Sequence, residues 1–238
     1  MELETDRHND LIKFSTLLGF EFNNLALLDT ALTHKSFQDE KRGLFGGNNE
    51  RLEFLGDTVL DIIISEHIFR ENQNWTEGEL TKKRAQIVSK ESLAEVARGL
   101  SIGSFIKFGN TELASNGANK SSILADSLEA LVAAIYLDAG YSLTQKFVLE
   151  TFSTRISKVT LGLVEENFKS QLQDILKGKA SQLSYKLVKE EGKTPNKIFF
   201  TEAWFGEKVY GRGVGSSIKA SEQEAAKEVL TKVKEIEG

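Results

Sequence analysis

The run from Ser122 to Tyr136 is apolar around every side of a helix except at Asp126 and Glu129. A helix apolar nearly all round belongs in a protein core. Its two acids stand three residues apart and so share a face, and the run offers no lysine or arginine to neutralise them. Burying carboxylates without a positive partner is costly. Any fold that contains this helix has to bring a cation to it.

A second segment repeats the problem. From Asn49 the chain reads Glu50, Arg51, Leu52, Glu53, Phe54, Leu55, Gly56 and Asp57, then continues through Leu60 to Ile64. Glu50, Glu53 and Asp57 fall on one face a turn apart, where like charges repel. A solvated acidic stripe would account for this helix taken alone. Facing the 122–136 helix, however, the acids form an oxygen-only donor set, which suits Mg²⁺, with Mn²⁺ as a substitute. Without any cysteine, and with only His8, His34 and His67, the chain supplies a zinc site poorly. Carboxylate-held divalent ions activate water for in-line attack on a phosphodiester and stabilise the departing oxygen. Gly56 would let two backbones come close. Glu77 fits equally a dipole-favoured surface residue at a helix start and a contributor to the site. His34 reads as a packing or hydrogen-bonding residue, and no role is assigned to His8 or His67.

The chain has one proline, Pro195, where a chain of 238 residues would average about a dozen. Long helices are therefore open to it. Apolar residues at three- and four-residue spacing predict helices over about 7–19, 24–32, 50–72, 77–98, 121–139 and 142–161. Loops are expected at 42–49 and 109–119, and Thr76 with Glu79 has the form of a capping box. After a hinge near 161–166 the pattern changes to a helix near 166–177, three period-two strands near 183–191, 197–205 and 208–213, and a helix over 218–236. That order describes a small α+β unit. Charge divides at the same place: residues 1–163 carry 17 basic and 23 acidic side chains, and residues 169–234 carry 13 and 8. The global charge of −5 argues against a nucleic-acid partner only as an average.

In the basic unit, Gly215, Ser216 and Ser217 lead into the helix that carries Lys219. Backbone N–H groups, the Ser217 cap and that lysine make a phosphate-binding corner, weakened by nearby Glu222 and Glu224. Phe199, Phe200, Trp204 and Phe205 suit a strand core as well as a stacking platform. The acidic start lacks the form of a signal peptide, and the longest apolar run is too short to span a bilayer. A cytoplasmic protein without a membrane partner is expected.

The segment from Asn49 to Asp57 resembles the signature of the ribonuclease III family. Residues 122–140 are similar to its second motif, and 31–36 also match. The C-terminal segment resembles a double-stranded-RNA-binding domain. The resemblance implies an all-α catalytic domain over 1–161, a linker over 162–168 and an α-β-β-β-α RNA-binding domain over 169–238. It implies a Mg²⁺-dependent endonuclease that cuts double-stranded RNA, leaving 5′-phosphate and 3′-hydroxyl ends with short 3′ overhangs. Substrates would include ribosomal RNA precursors and structured messenger RNAs. Glu53, Asp57, Asp126 and Glu129 match the family's metal-binding carboxylates, Asp57 and Glu129 the pair named as catalytic, and Glu50 and Glu77 its accessory acids. A homodimer with the signature helix in the interface is implied as well. Gln173, Asp174, Pro195, Asn196, Ser217 and Lys219 match RNA-contacting positions. The last helix opens with Ile218, Lys219 and Ala220 where paired basic residues are usual, Ser221 replaces the usual alanine, and Asn196 stands nearest the usual histidine, departures that point to weaker and more salt-sensitive RNA binding. A regulator that binds double-stranded RNA as a dimer without cutting it is the alternative, and the intact acid set disfavours it.

Overall fold

The computed structural model describes residues 2–37, 47–164, 168–193 and 195–233, leaving out the side chains of 2–5, 174, 177, 178 and 180. The chain divides into two units, 1–164 and 165–238.

The first unit is helical: α1 (Glu2–Leu17), α2 (Leu25–Ala31), α3 (Glu50–Glu71), α4 (Glu77–Ile87), α5 (Lys90–Gly99), α6 (Asn110–Ala114) and α7 (Ser121–Thr160). As its composition requires, α7 is the core helix, with Leu128 and every residue from Ala130 to Ile135 fully buried. Gly140 interrupts α7 with a φ of 77°, a conformation that costs glycine little. The interruption falls where the spacing separates two helices.

One expected helix is two. The span 77–98 breaks at Val88, where Ser89 caps α5 by accepting the Ser92 N–H at 3.4 Å. Ser92 in turn donates to the Ile87 carbonyl at 2.6 Å. Apolar spacing runs through the break because both helices pack against α7, so periodicity alone does not register it. The loop expected at 109–119 likewise contains α6 and a single 3₁₀ turn, Gly117–Asn119. The loop at 42–49 is described only from Gly47, and the hinge near 161–166 only as far as Val164. The Thr76–Glu79 capping box is present in both directions.

The second unit runs α8 (Phe168–Leu176), β1 (Leu183–Glu191), β2 (Ile198–Phe205), β3 (Lys208–Gly215) and α9 (Ile218–Thr231), its strands forming an antiparallel sheet in the order β1-β2-β3. The helical first unit and this α-β-β-β-α second unit are the fold expected. Glycines 211, 213 and 215 present one face of β3 to α9. A methyl on Gly213 would sit 2.0 Å from the Ser221 carbonyl oxygen, so the helix lies directly on bare strand. The core here is small, built on Leu172, Leu176, Ala203, Ala225, Ala226 and Val229.

Ser221, the departure from alanine, is fully buried and balanced by a second polar residue. Its Oγ lies 2.7 Å from the Thr201 Oγ1 and donates to the Ile218 carbonyl at 2.9 Å, so Thr201 is the donor between them. Ser221→Ala strands the Thr201 hydroxyl and is expected to cost about 1–2 kcal/mol. The double variant with Thr201→Val should recover most of that loss in chemical denaturation. A double variant no more stable than Ser221→Ala alone would contradict the pairing.

Candidate active site

Glu53 and Asp57 are held on α3, Asp126 and Glu129 on α7. What brings the helices together is Gly56, since a methyl there would lie 1.8 Å from the Glu129 carbonyl oxygen. The close approach lets acids from two helices share one pocket. Asn49, buried at the start of α3, adds a tie by donating to the Ser127 hydroxyl of α7 at 3.4 Å. Its own N–H donates to the Thr33 carbonyl, and the 32–34 segment is bound in turn to Lys107. His34 works in this support: its Nδ1 lies 2.8 Å from the Ser36 hydroxyl, which accepts the Gly109 N–H. That is the hydrogen-bonding role expected of it.

The pocket is a cleft of about 420 Å³ lined by Glu50, Glu53, Asp57, Asp126 and Glu129, with Phe54, Val88, Lys90, Leu93 and Ala125. One carboxylate oxygen from each of Glu53, Asp126 and Glu129 lies within 4.8 Å of the other two. Glu50, at the exposed rim, pairs with Lys35 at 3.1 Å. Burial raises the carboxyl pKa of Glu53 and Asp126, and charge repulsion from Asp126 adds to the effect at Glu53. Glu129 is pushed furthest, to about 8, by burial and then by Asp57, Asp126 and Glu53. A cation seated among these acids would offset the charge that burial and repulsion disfavour. An all-oxygen set of this span fits a small hard cation that retains waters.

Glu77 is not in this pocket. It is exposed on α4, accepts a hydrogen bond from Thr81 at 3.1 Å, and lines a separate cavity of about 360 Å³ with Ile62, Phe69, Leu80 and Arg84. Lys90 lines the cleft as well, although nothing in its spacing points to it. The unseen break at Val88 hides it, because a continuous helix leaves it an ordinary surface lysine, whereas the break makes it the first residue of α5.

In the second unit, Ser217 caps α9 by accepting the Ala220 N–H at 3.1 Å, and Lys219 is exposed beside it. Glu222, expected to weaken this corner, is paired with Lys169 at 2.7 Å. Pro195 and Asn196 are exposed between β1 and β2, and Gln173 is exposed on α8; the Asp174 side chain lies outside the described residues. The strand aromatics divide between two environments. Phe205 packs against the core, while Lys186 stands 4.1 Å from the centre of the Trp204 ring.

Comparison with known proteins matches residues 24–156 to the ribonuclease-III-like family and 168–233 to the double-stranded RNA binding motif. Ribonuclease 3 of Desulforamulus reducens is 45% identical over 92% of this chain and 89% of its own length. The chain belongs to the ribonuclease III family. It is an endoribonuclease acting on double-stranded RNA, and its second unit is the RNA-binding domain. Ribonuclease 3 of Borreliella burgdorferi is 41% identical over 97% of this chain and 94% of its own length. The nuclease domain of ribonuclease III from Campylobacter jejuni, solved in a study of flexibility in the region involved in its dimer formation, superposes with a TM-score of 0.56. It is 41% identical, covering 60% of this chain and 95% of that one. Ribonuclease III family enzymes are generally metal-dependent, in keeping with the acid cluster of this chain. Among the described residues no helix is long and apolar enough to cross a membrane.

Proposed function

We propose that this ribonuclease III is a Mg²⁺-dependent homodimer that processes ribosomal RNA precursors and structured messenger RNAs in the cytoplasm. Its products carry 5′-phosphates, 3′-hydroxyls and short 3′ overhangs. The observation that carries the chemistry is the convergence of Glu53, Asp126 and Glu129 beside Asp57 in one cleft. These four are the residues that would hold the ion, Mg²⁺ or in its place Mn²⁺. When bound, the ion lowers the pKa of a water and neutralises charge on the phosphate. Glu129 and Asp57 orient the attacking water, whose oxygen joins phosphorus as the bond to the 3′ oxygen breaks. The 3′ oxygen takes up a proton, and the phosphate stays on the 5′ side. Glu50, already engaged by Lys35 at the rim, helps place the strand.

Dimerisation is supported by the outward face of α3. Phe54, Ile62 and Phe69 recur along it at two-turn intervals and are 79%, 56% and 67% exposed. Large aromatic and aliphatic groups aligned in this way mark an interaction surface. Glu77 borders the same face, so its accessory role would be exercised across the interface, toward the cleft of the other copy. The second unit holds the duplex through Gln173, Asp174, Pro195, Asn196, Ser217 and Lys219. Domains of this kind read A-form shape, phosphates and 2′-hydroxyls. On this reading the catalytic domain spans 1–161 and the RNA-binding domain 169–238, with a linker over 162–168.

The direct test is a perfect RNA duplex, end-labelled on each strand and incubated with Mg²⁺ or with chelator. Cleavage of both strands only with the ion, giving short 3′ overhangs and ligatable 5′-phosphates, is the expected result. Cleavage in chelator, or 5′-hydroxyl products, would refute the proposed chemistry.

A further inference from the structure

Lys90 occupies a position that local structure disfavours. It is the first residue of α5, where the helix dipole opposes positive charge by about 0.3–1 kcal/mol. It is exposed, and no hydrogen bond or ion pair holds it among the described residues. Yet it lines the carboxylate cleft, and its charge lowers the carboxyl pKa of both Asp126 and Glu129 against the stronger effect of burial. Lys35, the other lysine whose charge reaches Asp126, is committed to Glu50 at 3.1 Å. Lys90 therefore brings an uncommitted ammonium to the place where a phosphodiester must sit if the acids hold the ion. Local preference overridden in this way is a mark of functional sites.

We propose that Lys90 is a substrate-contact residue of the cleavage site: its ammonium takes a non-bridging oxygen of the RNA phosphate seated against Asp126 and Glu129, and in the free enzyme it weakens the hold of the cleft on its divalent ion. The inference rests on the metal reading above. The two effects have opposite signs for a single substitution. Removing the charge leaves four acids with less positive charge nearby, which favours the ion, and removes a charge-assisted contact, which disfavours RNA.

The test uses the full chain with Lys90→Gln and Lys90→Arg. Calorimetric titration of the RNA-free protein with Mn²⁺ should show about 3- to 10-fold tighter binding in Lys90→Gln. In the cleavage assay its KM for duplex RNA should rise about tenfold. The dependence of log KM on log salt should become shallower by about one unit, with kcat changing less. Lys90→Arg should stay near the parent in both measurements. A merely structural lysine would shift the melting temperature and leave ion affinity and salt slope alone. An unchanged KM in Lys90→Gln overturns the phosphate contact, and unchanged Mn²⁺ affinity overturns the charge coupling. Failure of the parent itself to bind Mn²⁺ would overturn the metal reading and the inference together.

Discussion

Glu129→Gln is expected to lose at least about a thousandfold in kcat on duplex RNA, because removing one anionic oxygen from the set that holds the ion forfeits several kcal/mol of transition-state stabilisation. Binding of double-stranded RNA should stay near the parental level, since the second unit is untouched. The same substitution is expected to stabilise the ion-free protein at alkaline pH. The carboxyl of Glu129 is pushed to about 8 in the fold, above its ordinary value of 4.5. A carboxylate shifted upward makes the folded state bind more protons than the unfolded one. Its contribution is therefore most favourable below pH 4.5 and is lost as pH rises toward 8. The amide of the variant cannot ionise, so melting curves of parent and variant in chelator should nearly coincide at pH 5 and separate by pH 8.5. After allowance for solvent screening at this partly exposed group, the variant should melt about 2–5 °C higher. Adding Mg²⁺ should raise the melting temperature of the parent and leave the variant nearly unmoved. A variant that cuts as well as the parent would remove Glu129 from the site. Melting curves that coincide at every pH would show that its burial carries no electrostatic cost.

The second large effect is expected at Phe54. Its ring is 79% exposed, so Phe54→Asp should leave the fold of a single chain intact. Within the interface proposed between two copies, the same change would replace an aromatic anchor by a buried charge. Losses of about 3 kcal/mol or more are usual for such anchors, so self-association should weaken at least a hundredfold. Sedimentation at micromolar concentration should show a dimer for the parent and a monomer for the variant. With the two clefts separated, coordinated cutting of both strands should give way to rare single-strand nicks. A Phe54→Asp protein that remains dimeric would move the interface off α3.

The helices that matter most were readable because each carries its own contradiction. In α7, acids stand in an otherwise apolar cylinder, and in α3 three acids share a face, so composition identified both halves of the cleft. Spacing along one helix cannot say which residues of another it meets. Here that depends on the missing side chain at Gly56 and on the backbone of Glu129, and only the possibility of a close approach was foreseeable. Glu77 illustrates the same limit. Its place in the capped first turn of α4 was correct, yet it lies away from the acids of its own chain. Lys90 was concealed by a cap of one serine, since Ser89 ends no apolar pattern and simply redirects the chain. In the second unit, Ser221 looked like a defect until Thr201 appeared opposite it. Compensation between residues twenty apart is invisible to any local rule.

The two hydrophobic cores have no residue in common among those described: one is built from Leu11 through Val159, the other from Leu172 through Val229. Substitutions on the exposed positions of β3 and α9 that retune which RNAs are gripped can therefore accumulate without disturbing the packing that aligns the acids. For such an enzyme, a lineage can acquire new RNA targets while inheriting an unaltered cutting centre.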